Sequence, residues 1–222
     1  MKNYRFLVLI GAALLFFCFS VRSEVLHFSA QSSWGKISTK SWKDIRDHGV
    51  VKQDYDFSCG AASLATILNE YYGQKMTEEV LLKAMGKENG MASFADMQKI
   101  LPSIGFHGQG FAANFEQLSK LEMPVIVYLK FQNSDHFSVV RGIGGDTVWL
   151  ADSSFGNQTF SRVQFLDMWG LQGGQGKNSE LKGKFFAIFP ISGATPQKYY
   201  FSKMPERHTR GAVRHMGVRY WN

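Results

Sequence analysis

The chain has 222 residues, of which 45% are hydrophobic, 14% aromatic and 19% charged, a globular composition that excludes a disordered, collagen-like or coiled-coil chain and suffices for one domain with a full core. The formal charge of +7 is confined to the ends: Lys2, Arg5 and Arg22 precede residue 24, and Lys203, Arg207, Arg210, Arg214 and Arg219 follow residue 202, while the span between is balanced in sign. A neutral body excludes nucleic acid as the expected partner.

Lys2 and Arg5 form a positive region ahead of the apolar run 6–19, which is too short for a comfortable membrane span, and Val21-Arg22-Ser23 offers small residues where a signal peptidase reads them. Residues 1–23 read as a secretory signal, with an uncleaved anchor as the alternative, so a mature chain starting at Glu24 is expected in the periplasm or outside the cell. Phe17 before Cys18 is too bulky for a lipoprotein signal. Cys18 leaves with the signal, and Cys59 remains as a lone thiol in an oxidising compartment: buried and inert, paired between chains, or a nucleophile.

Residues 24–49, with Trp34 and Trp42, read as an N-terminal extension. From Cys59 an Ala- and Leu-rich helical pattern runs to a stop at Gly73 and is apolar on most of its circumference, as a central buried helix must be. Thr77 opens a second short helix, Ser93 a third, and Asn114 with Gln117 a fourth through a capping box. After Pro124 the period changes to short β-branched and aromatic runs at 125–129, 137–141, 147–151 and 185–189, hence strands, with Ser161 and Gln164 capping one more helix among them. A helical half followed by an antiparallel half is an α+β domain, placed at 50–192. The Gly-rich stretch 172–177 lacks the Lys-Ser/Thr pair of a phosphate loop and reads as a mobile loop. Residues 193–222 are a basic tail, either solvated or docking on an acidic partner, a secretion system or the membrane surface.

The chemistry gathers at Cys59. It opens the strongest predicted helix, where unpaired N–H groups and the helix dipole favour a thiolate, and Gly60, Ala61 and Ala62 put little bulk over the sulfur. Gln53, six residues earlier, offers a side-chain amide that could join the Cys59 N–H in an oxyanion hole. A thiol nucleophile needs a base, and the candidates are His27, His48, His107, His136, His208 and His215. If the hairpin from 137–141 to 147–151 turns through a three-residue loop at Ile143-Gly144-Gly145, then 142 faces 146 and His136 faces Asp152 directly. Asp152 then holds one side of the imidazole and Cys59 meets the other, the orienting role of a third triad member. A two-residue loop would shift the register by one and spoil the pairing. Asp152 as a mere turn cap, with Asn157 as substitute orienter, is the rival assignment.

Gln-x5-Cys-Gly at a helix start, then His-Phe-x-Val-Val, then Asp at the end of the next strand resembles the papain-like cysteine peptidases that process double-glycine leader peptides of bacteriocins. The resemblance covers about residues 50–190. It implies a papain-like α+β fold with Cys59 as nucleophile, His136 as base, Asp152 as orienter and Gln53 as oxyanion donor, and neither metal nor cofactor. Ser153 stands where family members often carry proline. Among standalone exported members the sequence is most similar to those beside secretion systems for functional amyloid fibres, so the implied partner is an exported peptide or protein with a Gly-Gly site. The alternatives are an amidase or acyltransferase acting on cell-wall peptides, or a peptide-binding module without turnover. Tyr55, Phe57, Phe137 and Trp169 are the aromatic side chains expected to narrow the cleft to glycine.

Overall fold

The computed structural model describes residues 25–30, 33–38, 41–87, 89–131, 134–169 and 183–203. The expected signal segment, the Gly-rich stretch 172–177, and His208 and His215 with the rest of 204–222 lie outside the described residues. The chain divides into two compact units, Met1–Ile45 and Arg46–Asn222. The first contains an antiparallel hairpin of β1 (Val25–Ala30) and β2 (Ser33–Ser38). Helix α1 (Trp42–Asp47) follows and crosses the boundary.

In the second unit the central helix α2 (Cys59–Thr66) buries all eight of its residues. Small Ala61, Ala62 and Ala65 let neighbours approach its backbone, while Leu64 fills the core and contributes about 1.5–3 kcal/mol by its burial. Beyond Thr66 the helix widens into a π-helical turn, Ile67–Tyr71, and ends at Gly73 with φ +68°. The predicted caps stand at α3 (Glu78–Met85), where Thr77 accepts from the Val80 N–H, and at α4 (Phe94–Ile100) and α5 (Phe115–Ser119), each opened by a reciprocal capping box.

Six strands make one sheet in the order β3-β8-β4-β5-β6-β7: β3 (Phe106–Ala113), β4 (Val125–Phe131), β5 (Ser134–Gly144), β6 (Thr147–Asp152), β7 (Gly156–Ser161) and β8 (Gly183–Pro190). All the pairings are antiparallel. The α2 side of the sheet is one core, with Leu64, Val139 and Phe186. The other side is covered by α6 (Arg162–Trp169) over Val127, Val140 and Leu150. Sequence analysis did not foresee β3, whose Gly108 and Gly110 imitate a turn. Gly108 is required there because a Cβ would stand 2.4 Å from the Phe186 ring. Polar β7, at the sheet edge, lacks the apolar alternation that betrays a strand.

Arg141 fastens the segment before Cys59 to this sheet. Its guanidinium is sandwiched between Trp149 and Tyr200, at 4.2 and 4.3 Å, and its NH1 donates to the His48 carbonyl at 3.2 Å and to Asn157 Oδ1 at 2.8 Å. Asn157 Nδ2 donates to the Arg46 and His48 carbonyls, at 2.9 and 2.7 Å. Tyr200 OH donates to the Gly49 carbonyl at 2.9 Å. Arg141→Leu removes charged hydrogen bonds and both ring contacts, and is expected to lower unfolding free energy by about 2–4 kcal/mol. Urea denaturation with hydrogen exchange across 46–49 measures this; an unchanged midpoint and unchanged protection would show that the anchor contributes nothing.

Candidate active site

Cys59 is the first residue of α2, and Ser58 at its N-cap makes no side-chain cap. The Ser58 hydroxyl is used instead on the Tyr55 carbonyl at 2.6 Å, winding 55–58 into a turn. Cys59 therefore sits at the uncapped positive end of the helix dipole. One helical turn on, Ser63 Oγ donates to the Phe137 carbonyl at 3.2 Å, tying α2 to the strand that carries His136. The sulfur-bearing residue is only 1% exposed. The little bulk expected over it from Gly60 does not expose it, because Met97, Phe137 and Ala92 fill the space at that glycine, where a Cβ would lie 2.8 Å from Met97 Cε.

The hairpin differs from the sequence reading in two respects that cancel. Gly144 pairs with Thr147, so the turn holds two residues, Gly145 and Asp146, with Gly145 at φ +56° rather than a three-residue loop. Alone, that turn would put His136 and Asp152 on opposite faces. A β-bulge at Arg141, between Val140 and Gly142, adds one residue to β5 and restores the parity, so that Val140 pairs with Leu150 and Val139 with Ala151. Continuing that register sets Asp152 level with Ser138. His136 is then its diagonal neighbour on the same face, within reach of long side chains.

The side chains meet there: His136 Nε2 lies 2.8 Å from Asp152 Oδ2. A carboxylate can only accept, so Nε2 carries the proton and Nδ1 is left for the Cys59 side chain, which helps to raise the imidazole pKa. Asp152 also caps its turn, since Oδ1 accepts from the Ser154 and Phe155 N–H groups at 2.9 and 3.0 Å. One oxygen thus meets the imidazole and the other caps the turn. Burial alone draws the imidazole toward the neutral form, but its hydrogen bonds to Asp152 and Cys59, with their charges, push it up to about 10. Burial raises the Asp152 carboxyl, yet the His136 hydrogen bond and charge hold it below the ordinary range.

Gln53 joins the same turn from the other side. Its Oε1 accepts from Ser153 Oγ at 2.7 Å and Ser154 Oγ at 2.8 Å, and its Nε2 donates to the Tyr55 carbonyl at 2.9 Å. Asn157 is not an orienter: Arg141 and the Trp149 indole occupy its Oδ1, and its amide nitrogen holds 46–48. His107 stacks on Phe189 in the β3–β8 ladder, and His48 serves through its carbonyl. His27 lies on β1 in the separate N-terminal unit. Of the four aromatic side chains expected at the cleft, Tyr55 is exposed and stacks on Phe57 at 5.4 Å. Phe137 is buried under Gly60, and Trp169 lies in the α6 core against Phe165 and Gly183, too far inside to wall a cleft. Ser63 and Ser154 gave no signal in the sequence, since one polar residue on a buried helix and one in a turn are common. Among the described residues no group of His, Cys, Asp and Glu is arranged to hold a metal ion.

Residues 47–172 match the peptidase C39 family. The chain is 29% identical over 171 residues to "Probable functional amyloid protease FapD" of Pseudomonas aeruginosa, covering 72% of this chain and 75% of that protein. To the protein of the same description from Pseudomonas fluorescens it is 34% identical over 146 residues, covering 61% of this chain and 64% of that one. The fold is similar to the crystal structure of a double glycine motif protease from an AMS/PCAT transporter in complex with the leader peptide, with TM-score 0.53 at 22% identity over 64% of this chain and 90% of the other. A family match over more than half of the sequence, on a central helix packed against an antiparallel sheet, makes this chain a member of the peptidase C39 family, cysteine peptidases of papain-like fold.

Proposed function

We propose that the protein is an exported cysteine peptidase that cuts after a small pair such as Gly-Gly in a secretion-associated polypeptide, with Cys59 as nucleophile, His136 as acid and base, Asp152 as orienter and Gln53 as oxyanion donor. The observation that carries this reading is the 2.8 Å contact of Asp152 Oδ2 with the His136 imidazole, on the strand tied by Ser63 to the helix that Cys59 opens. The thiolate sulfur adds to the scissile carbonyl carbon, and the carbonyl electron pair moves onto the oxygen. The Gln53 amide and the Cys59 backbone N–H receive that charge. The oxyanion collapses, the C–N bond breaks, and the imidazolium gives its proton to the departing amine. Water then loses a proton to the imidazole, attacks the thioester, and releases the acid with Cys59 as thiolate.

The substrate reading is supported by the chain's similarity to FapD, described as a functional amyloid protease, and by the leader peptide bound to the structural relative. Selection for glycine is steric, a passage too narrow for a Cβ, and the stacked Tyr55–Phe57 pair on the turn before Cys59 is the aromatic bulk that would narrow it. The exported setting rests on the signal pattern in 1–23, and no helix among the described residues is long and apolar enough to cross a membrane.

Three outcomes are expected. Because His136 is held charged up to about pH 10, the basic limb of kcat/KM falls through that pH as the imidazolium loses its proton. Asp152→Asn removes the partner that raises it, so the fall moves to lower pH and kcat drops at least about tenfold, while Cys59→Ala is inactive; a pH–rate profile with an unmoved basic limb in Asp152→Asn would remove Asp152 from the orienting role. In a peptide library, replacing either glycine before the cut by leucine abolishes cleavage and replacing it by alanine slows it. Equal rates for the leucine peptides would discard the small-residue specificity. The intact mass of exported protein corresponds to a chain starting near Glu24; a mass retaining Met1 would show the N-terminal segment to be an anchor.

A further inference from the structure

We infer that Ser153 and Ser154 are positioning residues that fix which end of the Gln53 amide faces the substrate, an inference that rests on Gln53 being the oxyanion donor. The two ends of a glutamine amide are nearly the same in shape and opposite in hydrogen-bonding sense. An amide used as an oxyanion donor must not rotate, because a half-turn about its last bond presents a carbonyl oxygen to a developing negative charge. Here the rotation is blocked by polar partners. Both lone-pair sites of Oε1 are filled by hydroxyls, Ser153 at 2.7 Å and Ser154 at 2.8 Å, and one Nε2 hydrogen is bound by the Tyr55 carbonyl at 2.9 Å. A carbonyl accepts only, so Tyr55 demands the nitrogen on its side. One N–H remains, and it is the one available to a substrate oxygen.

The backbone reinforces this arrangement. The Gln53 N–H donates to the Ser153 carbonyl at 3.2 Å, and Lys52 Nζ to the Ser154 carbonyl at 2.7 Å. Ser153 is 1% exposed, so its hydroxyl has little water to turn to if Gln53 is lost. The turn carrying both serines is the one whose N–H groups bind Asp152 Oδ1. Residues 152–155 thus set the imidazole with one side chain and the oxyanion amide with the next two. A proline at 153 could not supply the first of these hydroxyls.

The test is a kinetic cycle with the peptide that the library shows to be cleaved fastest. Ser153→Ala with Ser154→Ala is expected to lower kcat about tenfold at unchanged KM, since an oxyanion exists only beyond the ground state and removal of a whole donor costs about 10²–10³. Placed in a Gln53→Ala background, the same pair of substitutions lowers kcat no further, and the basic limb of the pH profile stays where it is in the parent enzyme. Ser154→Thr placed with Ser153→Ala keeps one hydroxyl on an exposed position and retains part of the rate that the double alanine variant loses; thermal melting of each variant confirms that the chain is folded. Unchanged kcat in the double serine variant while Gln53→Ala is slow would overturn the positioning role and leave the oxyanion assignment standing. An equal loss in the Gln53→Ala background, or a moved basic limb, would overturn it by showing that the serines act through Asp152. Full activity of Gln53→Ala would remove the oxyanion assignment itself and the positioning role with it.

Discussion

Parity in an antiparallel ladder governs this protein. Side chains alternate faces with a period of two, so one residue more or less between His136 and Asp152 decides whether they can meet. The two-residue turn at Gly145-Asp146 is the tight connection that the strand twist favours, yet it sets the wrong parity. The extra residue in β5, Arg141, corrects it. That residue also projects a long cation between Trp149 and Tyr200 and onto the His48 carbonyl, so the bulge that aligns the imidazole with its carboxylate also anchors the chain leading to Cys59. Conformation and attachment are served by one residue.

The electrostatics of the site follow from burial with partners. An imidazole at 15% side-chain exposure would normally give up its charge, and a carboxylate at 6% would take up a proton. Each instead stabilises the ionised form of the other, and the remaining carboxylate oxygen is satisfied by two backbone N–H groups. The cost of desolvating the pair is offset because every strong hydrogen-bonding atom on the Asp152 side has a partner. An unpartnered carboxylate at the same depth would neutralise, and the imidazole would lose its reason to stay charged.

Positional accuracy is obtained by ties between elements far apart in the chain. Ser63 joins the helix to β5 beside His136, Thr66 Oγ1 accepts from the Val51 N–H at 3.0 Å, and Glu78 Oε2 accepts from the Asp54 N–H at 2.9 Å. The segment 51–58, without regular structure of its own, is thereby held at Val51 and Asp54 ahead of Cys59. Gly156 completes the set: at φ +81° a Cβ there would lie 2.5 Å from Asp47 Oδ1, so only glycine lets the β6–β7 turn close against 46–47.

The sequence by itself determined the elements whose signals are local. Caps at Thr77, Ser93, Asn114 and Ser161 announced helices because a side chain three residues from its partner needs no distant context. The Cys59 helix was legible from its small and aliphatic residues, and the grouping of Gln53, Cys59, His136 and Asp152 from motif spacing. Tertiary structure alone decided what depends on pairing at a distance. Strands β3 and β7 carry glycine or polar residues and exist because β8 and β6 offer them ladders. The bulge left no trace, since Arg-Gly-Ile-Gly-Gly-Asp fits a three-residue loop or a two-residue turn plus one extra residue equally well, and only the packing of both sheet faces selects between them. The roles of Asn157 and Trp169 were likewise fixed by the cavities that received them: short-range rules see neighbours along the chain, and a side chain's partner in the core is set by how the remaining elements close around it.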